Sequence, residues 1–199
     1  MFVLVVGPDG SGKSTLSRRL IEETQTRSQN PVHMHWRPGL LPRAGSLIGV
    51  KGGEPSDPHA QEPHGLLLSL ALLTYYWIDF FLGTWLRIWP VRARGDLVVM
   101  ERGWLDIAVD PRRYHLAVPS KLVELLGRLL PAPDLVVILA ADPHMLSRRK
   151  AELPPAELHR QMRRWREVSF PRRTVRLPLD ASQSPESLVD QVAREILPV

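Results

Sequence analysis

Residues 1–15 constrain the fold of this chain more than any other stretch. The apolar run Phe2–Val6 is typical of a buried parallel strand. It leads directly into GPDGSGKS at residues 7–14, which matches the phosphate-binding loop pattern GxxxxGK[ST]. Leucine and isoleucine then recur at helical spacing, so strand, loop and helix follow in the order that the motif requires. A chance match of a glycine-rich turn is the alternative interpretation.

The chemistry of this motif assigns roles to its residues. The glycines let the backbone curl so that its N–H groups face an anion, and the following helix N-terminus adds about half a unit of positive charge. Lys13 would reach the β- and γ-phosphates of a nucleotide, and the Ser14 hydroxyl would bind Mg²⁺. We therefore expect a triphosphate site made of Asp9, Gly10, Ser11, Gly12, Lys13, Ser14 and Thr15.

Composition and charge narrow the choice of function. The chain has 199 residues, a formal net charge of +5 and no cysteine, so disulfides, thiolate zinc sites and a cysteine nucleophile are excluded. The length suits a single domain over residues 1–199. The positive charge fits phosphorylated substrates, a nucleic acid or a solvated basic surface; since no DNA- or RNA-binding motif accompanies it, we expect phosphates and no nucleic acid. The lack of cysteine and of a signal peptide predicts a cytoplasmic protein.

Further strands are predicted at residues 32–36, 97–100, 135–139 and 174–177, with helical patterns between them. This alternation predicts an α/β fold with a parallel five-stranded sheet and helices on both faces. Arg37 follows the second predicted strand, and Glu101 and Arg102 follow the third. The carboxyl ends of parallel strands form the ligand-binding edge of such sheets, and an acid there is placed to organise Mg²⁺.

The most apolar segment covers residues 66–89, and its length would suit a membrane span. Asp79 and Arg87 lie inside it, and charges are costly at bilayer depth. We therefore predict a buried helix that ends at Pro90 and is partly covered by a second subunit, giving a homodimer without a membrane span. Residues 40–65 before it are irregular; their histidines, His59 and His64, are either solvated or in contact with substrate.

Arginines are concentrated at residues 148–168. One interpretation is a solvated basic helix; the other is a lid whose arginines close over phosphates.

Together these features resemble the thymidylate kinase-like branch of the P-loop nucleoside monophosphate kinases, over nearly the whole chain. The loop at residues 7–15, the Arg-Pro-Gly at residues 37–39, the Glu101–Arg102 pair and the region of the lid carry the resemblance. It implies a three-layer P-loop kinase fold, an arginine-rich lid at about residues 148–168, and ATP and Mg²⁺ as cofactors. The loop at residues 180–182 would contact the adenine.

The resemblance also implies site residues. Lys13 would hold the donor phosphates, Ser14 and Glu101 the metal, and Arg37 and Arg102 the acceptor, while Arg149, or else Arg148 or Arg160, would act from the lid. Stacking on a base or sugar is an interpretation for three aromatic residues that core packing would also explain: Tyr76, Trp104 and Tyr114.

Departures from the family pattern lie on the acceptor side. Glu101 replaces an aspartate, and Leu40 follows Gly39 where the family usually repeats glycine. The loop after Gly39 looks more like divergent members associated with carbohydrate and cell-surface biosynthesis. We expect ATP-dependent phosphoryl transfer to a small phosphorylated acceptor. The alternatives are a kinase for a sugar or glycolipid hydroxyl, with Asp106 or Glu101 as its base, and a non-enzymatic nucleotide-binding module.

Overall fold

The computed structural model describes residues 1–25, 30–42, 62–149, 153–171 and 173–196, without the side chain of Arg149. Five strands and eight α-helices alternate along this part of the chain. The strands are β1 (Phe2–Val6), β2 (Val32–His35), β3 (Val98–Glu101), β4 (Leu135–Ala140) and β5 (Val175–Asp180). The helices are α1 (Lys13–Gln25), α2 (Leu66–Gly83), α3 (Trp89–Ala93), α4 (Trp104–Val109), α5 (Ser120–Gly127), α6 (Pro143–Arg149), α7 (Pro155–Glu167) and α8 (Pro185–Ile196).

The strands form one parallel sheet in the order β2-β3-β1-β4-β5. The predicted α/β fold with a five-stranded parallel sheet is therefore confirmed. Strand β1 lies in the middle, with β3 on one side and β4 on the other, so the strand order reverses at its carboxyl end. A crevice opens at such a reversal point, and the phosphate-binding loop begins there.

Apolar side chains cover both faces of the sheet, which explains why its central strands are continuous apolar runs. On one face, Leu73 and Phe80 of α2 pack with Trp104 and Ile107 of α4. On the other face, Leu16 and Leu20 of α1 pack with Val189 of α8. The sheet is thus the middle of three layers, and its buried strands fix the backbone on which the loops at the carboxyl edge are mounted.

The long apolar helix differs from its prediction at the C-terminal end. Helix α2 continues through a π-helical stretch, Thr84–Ile88, into α3, so Pro90 does not end the helix. Pro90 is the second residue of α3, a position at which a missing N–H is tolerated. Asp79, in the C-terminal part of α2, is fully buried.

Two further stretches are more regular than the sequence pattern indicated. The polar stretch after Arg102 contains α4 and a 3₁₀ turn, Pro111–Tyr114, and β5 continues to Asp180, where a loop was predicted. The region with His59 and residues 150–152 of the proposed lid lie outside the described residues, so those interpretations stay predictions. His64 is described, and its N–H donates to the carbonyl of His115.

Candidate active site

The loop after β1 has the backbone of an anion-binding loop. Gly7, Gly10 and Gly12 have φ angles of 146°, 79° and 87°, values that side chains disfavour. A Cβ at Gly7 would lie 2.4 Å from the carbonyl oxygen of Leu139, so β4 leaves room only for glycine. The Oγ atom of Ser11 is buried and has no hydrogen-bond partner among the described residues. An unpaired buried hydroxyl beside a helix N-terminus fits a loop that binds phosphate.

Lys13 lies inside this loop and is only 6% exposed. Its Nζ donates to the carbonyl oxygens of Gly7 at 2.8 Å and Pro8 at 2.6 Å, and lies 3.7 Å from Oδ1 of Asp9. Burial and the neighbouring Arg102 lower the pKa of the Lys13 ammonium to about 7, against the opposing effect of Asp9. An ammonium in this position would gain from a nearby polyphosphate.

Glu101, at the end of β3, contacts the first turn of α1. The Ser14 hydroxyl donates to its Oε2 at 2.6 Å, and Nε2 of His33 on β2 lies 2.6 Å from its Oε1. Burial alone would raise the pKa of Glu101, but contacts from His35, Ser14 and His33 lower it to about 2, so the carboxylate is charged. A hydroxyl and a carboxylate oxygen together fit the hard oxygen donors that Mg²⁺ prefers. No cluster of three His, Asp or Glu side chains suited to a metal occurs among the described residues.

Asp9 joins the loop to the residues that follow β3. Arg102 donates to its Oδ1, and Arg113, on the 3₁₀ turn, donates to its Oδ2. Burial raises the pKa of Asp9, but Arg102, Lys13 and Arg113 together hold it well below its usual range. A small polar cavity adjoins this cluster and is also lined by Asp106, Tyr114 and Gln161. Charges that meet in such a shielded place interact strongly.

Arg37 is buried between the loop after β2 and helix α2. Its Nη1 donates to Asp79 at 3.2 Å and its Nη2 to the carbonyl oxygen of Pro42 at 2.8 Å. Asp79 also accepts from the N–H of Gly39 at 3.2 Å and of Leu41 at 2.6 Å. The structure therefore gives Arg37 a definite role in fixing the Arg-Pro-Gly loop, besides the acceptor role predicted for it.

Aromatic rings line the crevice beside the loop that holds Arg37. Trp36 stacks on Tyr114 with ring centroids 5.0 Å apart, and the Tyr76 ring meets Trp36 edge-on at 5.0 Å. Trp36 has a φ of 65°, which is unusual for a bulky residue and turns the chain at the end of β2. Trp104 lies elsewhere: it is 5% exposed, and its indole N–H donates to the carbonyl of Val123 at 2.7 Å. The Trp104 ring thus packs in the hydrophobic core.

Helix α7 packs against the crevice through its polar and aromatic residues. Gln161 donates to Asp110 at 3.0 Å, and Trp165 is 2% exposed. Arg160 pairs with Glu157 on the same helix, and Arg164 pairs with Glu124 of α5 at 2.7 Å. Arg148 is exposed near the end of α6, and Arg149 belongs to the same helix.

A second, wider cleft lies between α7 and the carboxyl ends of β4 and β5. Its volume is about 1020 Å³. Pro8 of the phosphate loop and polar residues of the surrounding elements line it, among them Asp142, His159, Arg166, Arg176 and Asp180. The cleft therefore connects the loop with the predicted adenine contact at residues 180–182.

Several residues of the site were not selected from the sequence. The sequence marks Asp79 as a charge within an apolar run and Arg113 as part of an arginine pair, but it does not indicate what either contacts. No recognised sequence motif includes His33, Trp36 or Gln161. Each reaches the site through a neighbouring strand or helix, so only the packed structure shows its place.

Residues 66–93 form the one helical stretch in the described part of the chain that is long and apolar enough to cross a membrane. Only 28% of its most apolar window is buried. Exposed side chains recur along it at helical spacing, at Ile78, Leu82, Trp85, Leu86 and Trp89. An apolar patch of this extent on a protein surface usually marks an interaction site.

Comparison with known proteins shows similarity over nearly the whole length of the chain. The chain is 30% identical over 203 residues to a probable thymidylate kinase from Pyrobaculum aerophilum, covering 98% of this chain and 95% of that protein. Its fold matches a crystal structure of thymidylate kinase from Ehrlichia chaffeensis with a TM-score of 0.63, 17% identity, and coverage of 99% and 98%. No protein-family model matches the sequence.

Proposed function

The chain belongs to the thymidylate kinase family of P-loop phosphotransferases, and on this premise we propose that it transfers the γ-phosphoryl group of ATP to thymidylate or a closely similar nucleoside monophosphate. The observation that carries the proposal is that cationic side chains from both predicted substrate sites contact the same residue, Asp9. Lys13, from the donor loop, lies 3.7 Å from the same carboxylate that Arg102, from the end of β3, contacts. The cations that would hold the two substrates therefore meet at one point, as transfer between two phosphates requires.

On the donor side, the N–H groups of residues 9–15 and the Lys13 ammonium would bind the phosphates of ATP. The wide cleft beside Asp180 has room for the nucleoside. Ser14 and Glu101 would hold Mg²⁺, which would supply charge neutralisation at the transferring phosphoryl group. His33 orients the Glu101 carboxylate by contacting the oxygen that Ser14 does not.

On the acceptor side, Arg102 would bind the phosphate of the nucleotide. Arg37, fixed by Asp79, would shape the adjoining loop and lies 5.4 Å from the Trp36 ring and 5.9 Å from the Tyr76 ring. These rings, with Tyr114, offer flat apolar surfaces to a base. Arg149 would act from a lid near residues 148–168, closing over the phosphates.

A phosphorylated acceptor is better supported than a sugar or glycolipid hydroxyl, which would need a free base. Asp106, which with Glu101 is one of the two candidate bases, is buried, and its Oδ2 accepts the N–H of Gly103 at 2.6 Å. Burial raises the pKa of Asp106 to about 6, although nearby Arg102 opposes this. Asp106 thus reaches back from the first turn of α4 to the N–H of Gly103, the residue that caps this helix.

We further propose that the chain acts as one domain and works in the cytoplasm. It forms a homodimer through the exposed apolar side chains of the continuous helical stretch over residues 66–93. Asp79, on the other face of the helix, contacts Arg37 and Gly39 of the loop after β2. The helix therefore packs on its own domain along that face. A second subunit would cover the remaining apolar side chains, which supports a dimer over a membrane span.

An ADP-release assay tests the proposal. The protein is given ATP and Mg²⁺ with thymidylate, other nucleoside monophosphates or sugar phosphates in turn. Thymidylate should give the highest kcat/KM. A preference for an unphosphorylated sugar, or ATP hydrolysis that no acceptor accelerates, would contradict the proposed function.

A further inference from the structure

Three cationic side chains lie around the carboxylate of Asp9. Arg102 donates to one carboxylate oxygen, Arg113 donates to the other, and Lys13 approaches from the loop. Asp9 is 7% exposed, so these charges meet in a place shielded from water. The proposed function uses Lys13 and Arg102; it leaves Arg113 without a role.

The two arginines are arranged for a ligand with several oxygens. Each guanidinium contacts a different oxygen of Asp9, so the two planar groups converge on one small anionic group. A guanidinium has five N–H donors in a fixed fork that matches pairs of phosphate oxygens, and the bond to Asp9 uses one nitrogen of each side chain. No hydrogen bond to another described residue occupies the other nitrogens, which can donate to a phosphate placed beside Asp9.

The turn that carries Arg113 is anchored at both ends. Asp110 at its start accepts the backbone N–H of Arg113 at 3.3 Å and the Gln161 amide of α7 at 3.0 Å. Tyr114 at its end stacks on Trp36. Arg113 is 21% exposed, and its side chain lines the same cavity as Arg102. A guanidinium on a fixed turn loses little freedom when it binds, which favours recognition.

We propose that Arg113 is a second arginine for the acceptor, binding the same phosphate group as Arg102, and that Asp9 holds the two guanidinium groups side by side. This inference rests on the proposed function. It names the part of the acceptor that these side chains recognise: the group between Arg102 and Arg113 is the phosphate monoester, and removing that phosphate removes the contribution of Arg113.

The test compares Arg113→Ala and Arg113→Lys with Arg112→Ala, a matched control because Arg112 lies on the same turn and is exposed. Binding of thymidylate and of thymidine is measured by calorimetry, and KM for thymidylate and for ATP by ADP release. Arg113→Ala should weaken thymidylate binding about tenfold or more, the usual effect of losing a charge-assisted hydrogen bond. Its affinity for thymidine and its KM for ATP should stay within about twofold of the parent, and Arg113→Lys should recover part of the loss.

Two results would overturn the assignment. Arg113→Ala could behave as Arg112→Ala does, or it could weaken thymidylate and thymidine equally, which would mean that Arg113 only supports the fold. The acceptor preference of the parent protein distinguishes this failure from a failure of the proposed function. If the parent prefers another phosphorylated acceptor, the comparison is repeated with that acceptor and its dephosphorylated form; if no phosphorylated acceptor supports turnover, both proposals are wrong.

Discussion

The Ser14 hydroxyl and the Glu101 carboxylate lie 2.6 Å apart, although 87 positions separate them in the chain. The parallel pairing of β1 with β3 brings them together, because the phosphate loop follows one strand and Glu101 ends the other. The two oxygen atoms form a pair of hard donors beside the start of α1. His33 contacts the second oxygen of the carboxylate and limits the directions in which it can turn.

Glu101→Gln should raise the Mg²⁺ concentration needed for half-maximal activity by about tenfold or more, because an amide of the same shape lacks the charge that attracts the ion. Initial rates across a Mg²⁺ series, with ATP held saturating, measure the effect. Glu22→Gln on the exposed side of α1 is the control and should leave the curve unchanged. An unchanged curve for Glu101→Gln would remove Glu101 from the metal site.

Lys13→Ala should abolish turnover, since the Lys13 ammonium is the buried charge of the donor loop. A lost contact of this kind costs about 2–4 kcal/mol in transition-state stabilisation. Single-turnover kinetics measure the loss, and circular dichroism verifies the fold. Exposed Lys121→Ala serves as the control. A single-turnover rate within about threefold of the parent would show that the loop does not act on the phosphates.

Asp79→Ala should lower the free energy of unfolding by about 3–5 kcal/mol, because the buried guanidinium of Arg37 would lose its partner. The N–H groups of Gly39 and Leu41 would lose their acceptor as well. Urea denaturation followed by tryptophan fluorescence measures the change. Asp190→Ala, an exposed carboxylate on α8, should change the stability by less than about 0.5 kcal/mol. Equal effects of the two variants would mean that Asp79 and Arg37 form no stabilising pair.

Trp85→Glu should convert a dimer into a monomer, because a charge would be placed within the exposed apolar side chains of the helix. Trp85 is 46% exposed, and the exposed side chains of Leu82 and Trp89 lie three and four residues from it on the same side of the helix. Sedimentation velocity at micromolar concentration, without detergent, measures the mass. Val175→Glu introduces the same charge at a site 51% exposed on β5 and should leave the dimer intact. A parent that sediments as a monomer would contradict the proposed interface.

The resemblance to thymidylate kinases assigns Arg37 to the acceptor, and the sequence leaves Trp104 either to stacking on a base or sugar or to core packing. The structure gives both residues packing contacts that the sequence does not show. Arg37 follows a strand, where ligand contacts are frequent, yet its guanidinium donates to Asp79 from a helix some forty residues later in the chain. Trp104 follows the Glu101–Arg102 pair, yet its ring turns into the core against Phe80. A motif fixes a position along the backbone, whereas the direction of a long side chain depends on neighbours that are distant in sequence.

Local sequence patterns predicted the alternation of strands and helices, the glycine-rich loop after β1, and the carboxyl edge of the sheet as the place of the candidate site. These features depend on local periodicity and on glycine positions, which neighbouring residues specify. Which polar side chains meet at that edge depends on the folded structure: Asp9 contacts Arg102 and Arg113, Glu101 contacts Ser14 and His33, and Asp79 contacts Arg37. Each of these contacts joins residues from separate strands, helices or turns, and their spacing is set by the pairing of strands and the packing of helices on the sheet.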